Sequence, residues 1–269
     1  MLKRQEGYIL KHIDDKTYLL PYGQKIADCI VRLYGPAHVF SEKFAPFYLS
    51  STTFSGCNDH REELPQTVCS DMDIEIILGE PQNHQNGTIL LRNKELIVSC
   101  WEEGYNIIEA QITTNANYAR IYCKNTLPES DCENLFLAIR PCFLYKAQLE
   151  GCFAIHSASI LYQDQAWLFS GHSGMGKSTH TALWHDLLHT PYLNGDLNLV
   201  AQKNGQPVVY GIPWCGTSQI STAKTYPLGG IVLLGRADID YLVDLEHYEK
   251  VLQVMQRMIS PSWSASLME

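Results

Sequence analysis

The chain is short of most features that mark a secreted, membrane-spanning or nucleic-acid-binding protein. Its nine cysteines stand singly, at Cys29, Cys57, Cys69, Cys100, Cys123, Cys132, Cys142, Cys152 and Cys215, an odd number with no CxxC pair. That scatter argues against a disulfide framework and against a zinc knuckle. No apolar run approaches the roughly twenty residues of a membrane span, and the opening stretch MLKRQEGYILKHIDDK lacks the long apolar core of a secretion signal. The expected location is therefore cytoplasmic, with most thiols serving as small buried apolar groups. The 20 lysines and arginines are dispersed and outnumbered by 29 acidic residues, giving a formal net charge of −9. Such a balance leaves no electrostatic footprint for nucleic acid or an anionic membrane. Internal repeats and low-complexity tracts are missing as well.

What is present begins with size: 269 residues, 45% hydrophobic, are enough to bury one large core or two modest ones. The most informative segment is GHSGMGKST at positions 171–179, which satisfies the pattern GxxxxGK[ST] with Gly171, Gly176, Lys177 and Ser178. Glycines at this spacing let the backbone bend until successive N–H groups point inward as an anion cradle at the start of a helix. Gly171, Ser173, Gly174, Met175, Gly176, Lys177, Ser178 and Thr179 are thus the candidate polyphosphate contacts. The Lys177 ammonium reaches the terminal phosphates, and the Ser178 hydroxyl is a magnesium ligand. Flanking sequence supports this. The run QAWLFS at 165–170 reads as a buried strand, and 178–189 carries Leu183, Trp184, Leu187 and Leu188 at helical spacing.

Upstream, the first half reads as strand-rich, with β-branched or alternating runs at 7–13, 73–78, 88–91, 95–101, 106–113 and 119–122. The alternation of Asp71, Asp73 and Glu75 with Met72, Ile74 and Ile76 reads as a half-exposed strand with a solvated acidic face. A helix is expected over 133–150, kinked or divided at Pro141. The resulting fold class is α/β: a strand-rich α+β N-terminal domain at 1–145, followed by a mixed-sheet nucleotide-binding domain at 146–269. In the latter, 151–162 and 165–170 are separated only by Gln163 and Asp164, so they form an antiparallel hairpin. Asn204-Gly205 predicts a second hairpin between 192–200 and 207–213. A core strand at 230–234 and a closing helix with an apolar stripe of Tyr248, Leu252, Met255 and Ile259 complete the reading.

Three further positions are candidates for chemistry. Asp196, at a strand end in LNGDLNL, suits the acidic partner of phosphoryl transfer, as magnesium ligand or proton acceptor, although a turn aspartate after Asn194-Gly195 has the same look. His156 lies mid-strand among the small residues Ser157, Ala158 and Ser159, whereas His172, inside the glycine loop, is expected to face solvent. The segment GIPWCGTS at 211–218 has the composition of an ordered loop. Cys215 within it lacks the histidine and carboxylate that would make it a nucleophile.

With FAIHSASI, GHSGMGKST and LNGDLNLV taken together, the chain resembles the HPr kinase/phosphorylase family of P-loop kinases. More distantly it resembles phosphoenolpyruvate carboxykinase. The resemblance covers about residues 150–235. It implies a mixed-sheet nucleotide fold that uses ATP and Mg2+, with Lys177 and Ser178 on phosphates and metal. It further implies Asp196 as base or metal ligand, His156 beside the transferred phosphate, and a hydroxyl of a peptide, protein or small metabolite as acceptor. Homo-oligomerisation is compatible with this reading. Three departures stand out. Gly195-Asp196-Leu197 carries one aspartate where the family shows a pair, Thr179 replaces a glutamate, and His172 replaces a common loop aspartate. The single aspartate leaves room for a nucleotide-binding sensor with little or no catalysis. A carboxykinase-like activity would require an arginine cluster for carboxylates, and the sequence does not supply one.

Overall fold

The computed structural model describes residues 22–26, 29–34, 42–47, 71–79, 90–92, 96–100, 107–124 and 132–260. The expected strand at 7–13 lies outside the described residues. The others build two mixed sheets. The first contains β1 (Tyr22–Ile26), β2 (Cys29–Tyr34), β3 (Met72–Leu78), β4 (Leu90–Arg92), β5 (Leu96–Cys100), β6 (Ile107–Thr113) and β7 (Tyr118–Cys123). Its order is β1-β2-β3-β7-β6-β5-β4, with β2–β3 and β3–β7 parallel and the remaining pairs antiparallel. The period-two pattern of β3 drives its placement, because Met72, Ile74 and Ile76 are all buried. The opposite face is not simply solvated: Glu75 accepts from the Tyr118 hydroxyl and from Arg120 Nε, the latter at 3.1 Å, so the acidic row is cross-linked to its neighbour strand.

Helix α1 (Cys132–Leu149) follows, and Pro141 neither breaks nor divides it. The carbonyl that proline leaves without a donor is that of Leu137, whose residue is 40% exposed, so water can satisfy it. The other face buries Leu135, Ala138, Ile139, Cys142 and Phe143 in a core that continues into the second sheet through Leu197, Leu199 and Trp214. The helix runs across positions 145 and 146 and shares this core with both sheets.

The second sheet comprises β8 (Phe153–Tyr162), β9 (Gln165–Ser170), β10 (Tyr192–Asn194), β11 (Leu197–Lys203), β12 (Gln206–Tyr210), β13 (Thr225–Leu233) and the short β14 (Met258–Ile259). Strand β8 pairs antiparallel with β11 over Phe153–His156 and with β9 over Ser157–Tyr162, while β13 runs parallel to β9. Since β11–β12 and β12–β13 also pair, the path β8-β11-β12-β13-β9 closes on β8. Both short hairpins form as the sequence requires. Gln163 and Asp164 have φ of 50° and 60°, Asn204 and Gly205 of 52° and 78°, the left-handed pairs that match strand twist.

Helix α2 (Lys177–Leu188) connects β9 to β10, and α3 (His247–Met255) precedes β14. The apolar spacing expected to bury both helices buries little of either. Leu183, Leu187 and Leu188 are exposed, α2 instead packing Trp184 and His180 on Phe169. On α3, Tyr248, Leu252 and Met255 are also exposed, and Val254 is the side chain that reaches the sheet core.

Candidate functional site

The glycine segment leaves the end of β9 and turns directly into α2. Gly174 and Gly176 have φ of 76° and 89°, a region costly for a side-chain-bearing residue. Gly176 is the N-cap of α2 and supplies no side-chain bond to the first turn, so the amides there have no capping partner. Met175 N donates to His172 O at 3.2 Å, closing the turn, and Leu234 N donates to Ser170 O at 2.8 Å, fixing the end of β13 beside it. Gly171 is at close quarters: a β-carbon there would stand 3.2 Å from Leu234 O and 3.3 Å from Met175 Cβ. Two cations lie against loop carbonyls, Lys177 Nζ donating to Gly171 O at 3.2 Å and Arg236 Nη2 to Gly174 O at 2.8 Å. His172, Ser173, Ser178 and Thr179 are exposed, and Met175 is half-buried. An uncapped helix N-terminus with a lysine at its first residue is a place where an anion is favoured.

The expected continuous strand over 192–200 is interrupted at Gly195-Asp196, and the interruption makes the site. Asn194 Oδ1 accepts from Asp196 N at 2.9 Å and from Leu197 N at 3.0 Å. A side chain that bonds its own backbone in this way replaces ladder bonds with a turn. The turn presents Asp196 toward His156: His156 Nε2 lies 3.2 Å from Asp196 Oδ1, with the two side chains 36% and 33% exposed. Ser157 N donates to Asp196 O at 2.9 Å, so the pair is held by the backbone of the same two strands. Leu197, by contrast, is fully buried in the core.

Behind the pair lies a buried polar network. Asn198 Nδ2 donates to Ser157 O at 2.8 Å and to Ser157 Oγ at 3.0 Å, while its Oδ1 accepts from Ser159 Oγ at 2.7 Å. Ser170 Oγ donates to His156 O at 2.7 Å. Asn194 Nδ2 reaches Ile212 O at 3.0 Å and Trp214 O at 3.3 Å. Sequence reasoning passed over Asn194, Asn198, Ser157 and Ser159 as site determinants. Their signal was polar residues facing one another in two otherwise apolar strands.

The 211–218 segment is the third wall. Trp214 is 1% exposed and donates from Nε1 to Phe136 O at 2.9 Å, anchoring the segment to α1. Gly216, at φ 61°, is packed so closely that a β-carbon would lie 2.8 Å from Asp196 Cβ. Cys215 is buried with its thiol pKa pushed up, chiefly by that burial, which disfavours the thiolate and any nucleophilic role. Between this segment, β10 and the first turns of α2 lies a cleft of about 180 Å3, lined in part by Ser178, Thr181, Asn194, Gly195 and Ser218. It joins the expected magnesium ligand Ser178 to the residue preceding Asp196. Among the described residues no three His, Cys, Asp or Glu converge. A divalent ion here would draw on one hydroxyl, one carboxylate, water and ligand oxygens, the set that suits Mg2+. Also among the described residues, no helix is long and apolar enough to cross a membrane.

No protein-family model matches the chain, and no curated protein matches it. Among solved structures it is similar to the Hpr(Ser) kinase/phosphatase from Coxiella burnetii, at 14% identity and a TM-score of 0.28, over 34% of this chain and 64% of that one. The chain thus spans less than two thirds of that structure's length.

Proposed function

We propose that the protein is an ATP- and magnesium-dependent phosphotransferase, of the HPr kinase-like type, acting on a hydroxyl of a peptide, protein or small metabolite. The observation that carries this reading is the cleft that an uncapped, glycine-flanked helix N-terminus shares with a turn bearing a carboxylate–imidazole pair. Backbone N–H groups of 172–177 would hold the phosphates, Lys177 would exchange its bond to Gly171 O for one to a phosphate oxygen, and Ser178 and Asp196 would ligate magnesium. The nucleotide supplies the phosphoryl group, and the metal neutralises its charge. Asp196 would take the proton of the acceptor hydroxyl, with His156 fixing the orientation of the carboxylate. The remaining work is positioning, which the Asn194 turn and the Asn198 network perform.

The same proposal includes a cytoplasmic location, a strand-rich N-terminal unit at 1–145 and a P-loop kinase unit at 146–269, with no nucleic-acid or membrane partner and with homo-oligomers allowed. The test is incubation of the purified protein with Mg2+ and γ-labelled ATP against serine-containing peptides, metabolites and the protein itself. Label transfer that disappears in Lys177→Ala, with circular dichroism unchanged, is the expected outcome. Transfer at an unaltered rate in that variant rejects the mechanism.

A second reading, a nucleotide sensor with little turnover, is favoured by one observation. Leu197 is buried in the core, so the turn offers a single carboxylate for metal and proton alike. Nucleotide binding by calorimetry without label transfer to any acceptor would select it.

A further inference from the structure

Resting on the phosphotransferase reading, we propose that the segment leaving β13, residues 236–243, is the nucleoside site, with Arg236 tying it to the glycine loop and Tyr241 stacking on the base. Strand order dictates which end of a bound nucleotide lies where. Asp196 O accepts from Ser157 N, Ser157 pairs with Ser170 at the end of β9, and Ser170 pairs with Leu233 of β13. These four residues form a row across the end of the sheet, three interstrand spacings or about 14 Å long. The carboxylate–imidazole pair stands at one end of the row and the exit of β13 at the other, with the glycine loop between them. Strands β9 and β13 run parallel, so both deliver their carboxyl ends here, where α/β sheets bind ligands. A phosphate tail gripped by the loop and reacting beside Asp196 therefore directs its nucleoside toward β13.

The residues at that end suit an uncharged ring. Arg236 Nη2 donates to Gly174 O at 2.8 Å, and the side chain makes no other hydrogen bond to a described residue, so this bond links the segment to the loop. Beyond it Ile239, Tyr241, Leu242 and Val243 are all exposed. From Gly235 to Leu245 no backbone group bonds to the backbone of another described residue. A run of apolar side chains thus stands on an unpaired main chain, immediately after the residue that touches the phosphate loop. A base laid on Tyr241 gains aromatic stacking, and the free amides and carbonyls can meet its polar edge. Asp238 and Asp240 flank Ile239. Their charges disfavour a phosphate at this end, which turns the tail back toward Lys177.

The test titrates the full chain with Mg2+ and either a non-hydrolysable ATP analogue or inorganic tripolyphosphate, read by calorimetry. Tyr241→Ala should weaken the analogue about 5- to 150-fold, the ratio that one base–aromatic stack supplies, and leave tripolyphosphate unchanged. Tyr241→Phe, which keeps the ring, should bind the analogue like the parent. Lys177→Ala should weaken both ligands, because it acts on the phosphate end. In a second measurement, 8-azido-ATP is cross-linked by light and the protein digested with trypsin. Label competed by the analogue is expected on peptide 237–250, which lies between the consecutive basic residues Arg236 and Lys250. An unchanged analogue affinity in Tyr241→Ala, or competed label confined to other peptides, overturns the nucleoside site. Tripolyphosphate binding that Lys177→Ala weakens keeps the phosphate reading standing in that event. Heat from neither ligand removes the phosphotransferase reading and this site with it.

Discussion

Replacing Gly195 by alanine measures how firmly the 211–222 segment is seated on the carboxylate turn. A β-carbon at Gly195 would stand 2.0 Å from Ser218 Oγ, 2.4 Å from Ser218 Cβ and 3.2 Å from Cys215 O. Gly195 is not in the left-handed region, so alanine carries no backbone penalty and its cost is steric. Ser218 cannot rotate away freely, because its Oγ donates to Cys215 O at 2.7 Å and accepts from Ile220 N at 3.2 Å. Losing the part-buried bond costs about 1 kcal/mol, and forcing a methyl into filled space costs about 1–3 kcal/mol. Alanine also narrows the unfolded ensemble, which returns about 0.4–1 kcal/mol. The net expectation is a loss of about 1–3.6 kcal/mol, read as a lowered urea midpoint at unchanged slope. Ser218→Gly removes both nearest atoms, so in the double variant alanine at 195 should be nearly neutral, giving a coupling of at least about 1 kcal/mol in the cycle. A Gly195→Ala variant within about 0.5 kcal/mol of the parent, or a cycle with no coupling, would refute the packing argument.

The other expectations are separate. Asp196→Asn should lower kcat for phosphoryl transfer about 10²–10⁴-fold while the urea midpoint stays in place, since the turn is held by Asn194 and not by the carboxylate. Asn198→Leu removes the buried bonds to Ser157 O, Ser157 Oγ and Ser159 Oγ, while the two hydroxyls keep Ile155 O and Asn194 as partners, and should cost about 1–3 kcal/mol, a fall in Tm of about 2–12 °C for a chain of this size. The thiols of Cys29, Cys123 and Cys142 are pushed up from 9.0 to about 12, by burial first in each case. Ionisation therefore favours the unfolded chain. Their contribution to stability is complete below pH 9.0, declines as pH rises through the interval, and is lost at about 12, as urea midpoints across alkaline pH should report. The same thiols should resist alkylation in the folded protein and react once urea unfolds it.

Much of the second sheet was legible in sequence because its signals are local. Gln163-Asp164 and Asn204-Gly205 dictate tight left-handed turns irrespective of what surrounds them, and GHSGMGKST places its glycines where the backbone must bend. Helix faces were read less well. The spacing of Leu183, Leu187 and Leu188, and of Tyr248, Leu252 and Met255, marks an apolar stripe, but spacing does not say whether a partner covers it, and these side chains are exposed. Pro141 does not divide its helix for a related reason: the carbonyl it leaves without a donor belongs to Leu137, which lies at the surface where water can reach it.

What the amino-acid order determined on its own is the glycine turn at 171–176 and the strand–loop–helix around it, because glycine torsions and short turns depend on neighbours in the chain. What tertiary structure alone decided is the pairing of His156 with Asp196, the seating of 211–218 over them and the cleft beside Ser178. Those contacts join residues tens of positions apart. Only the register of β8 on β11 and the Asn194 turn bring them within hydrogen-bond reach.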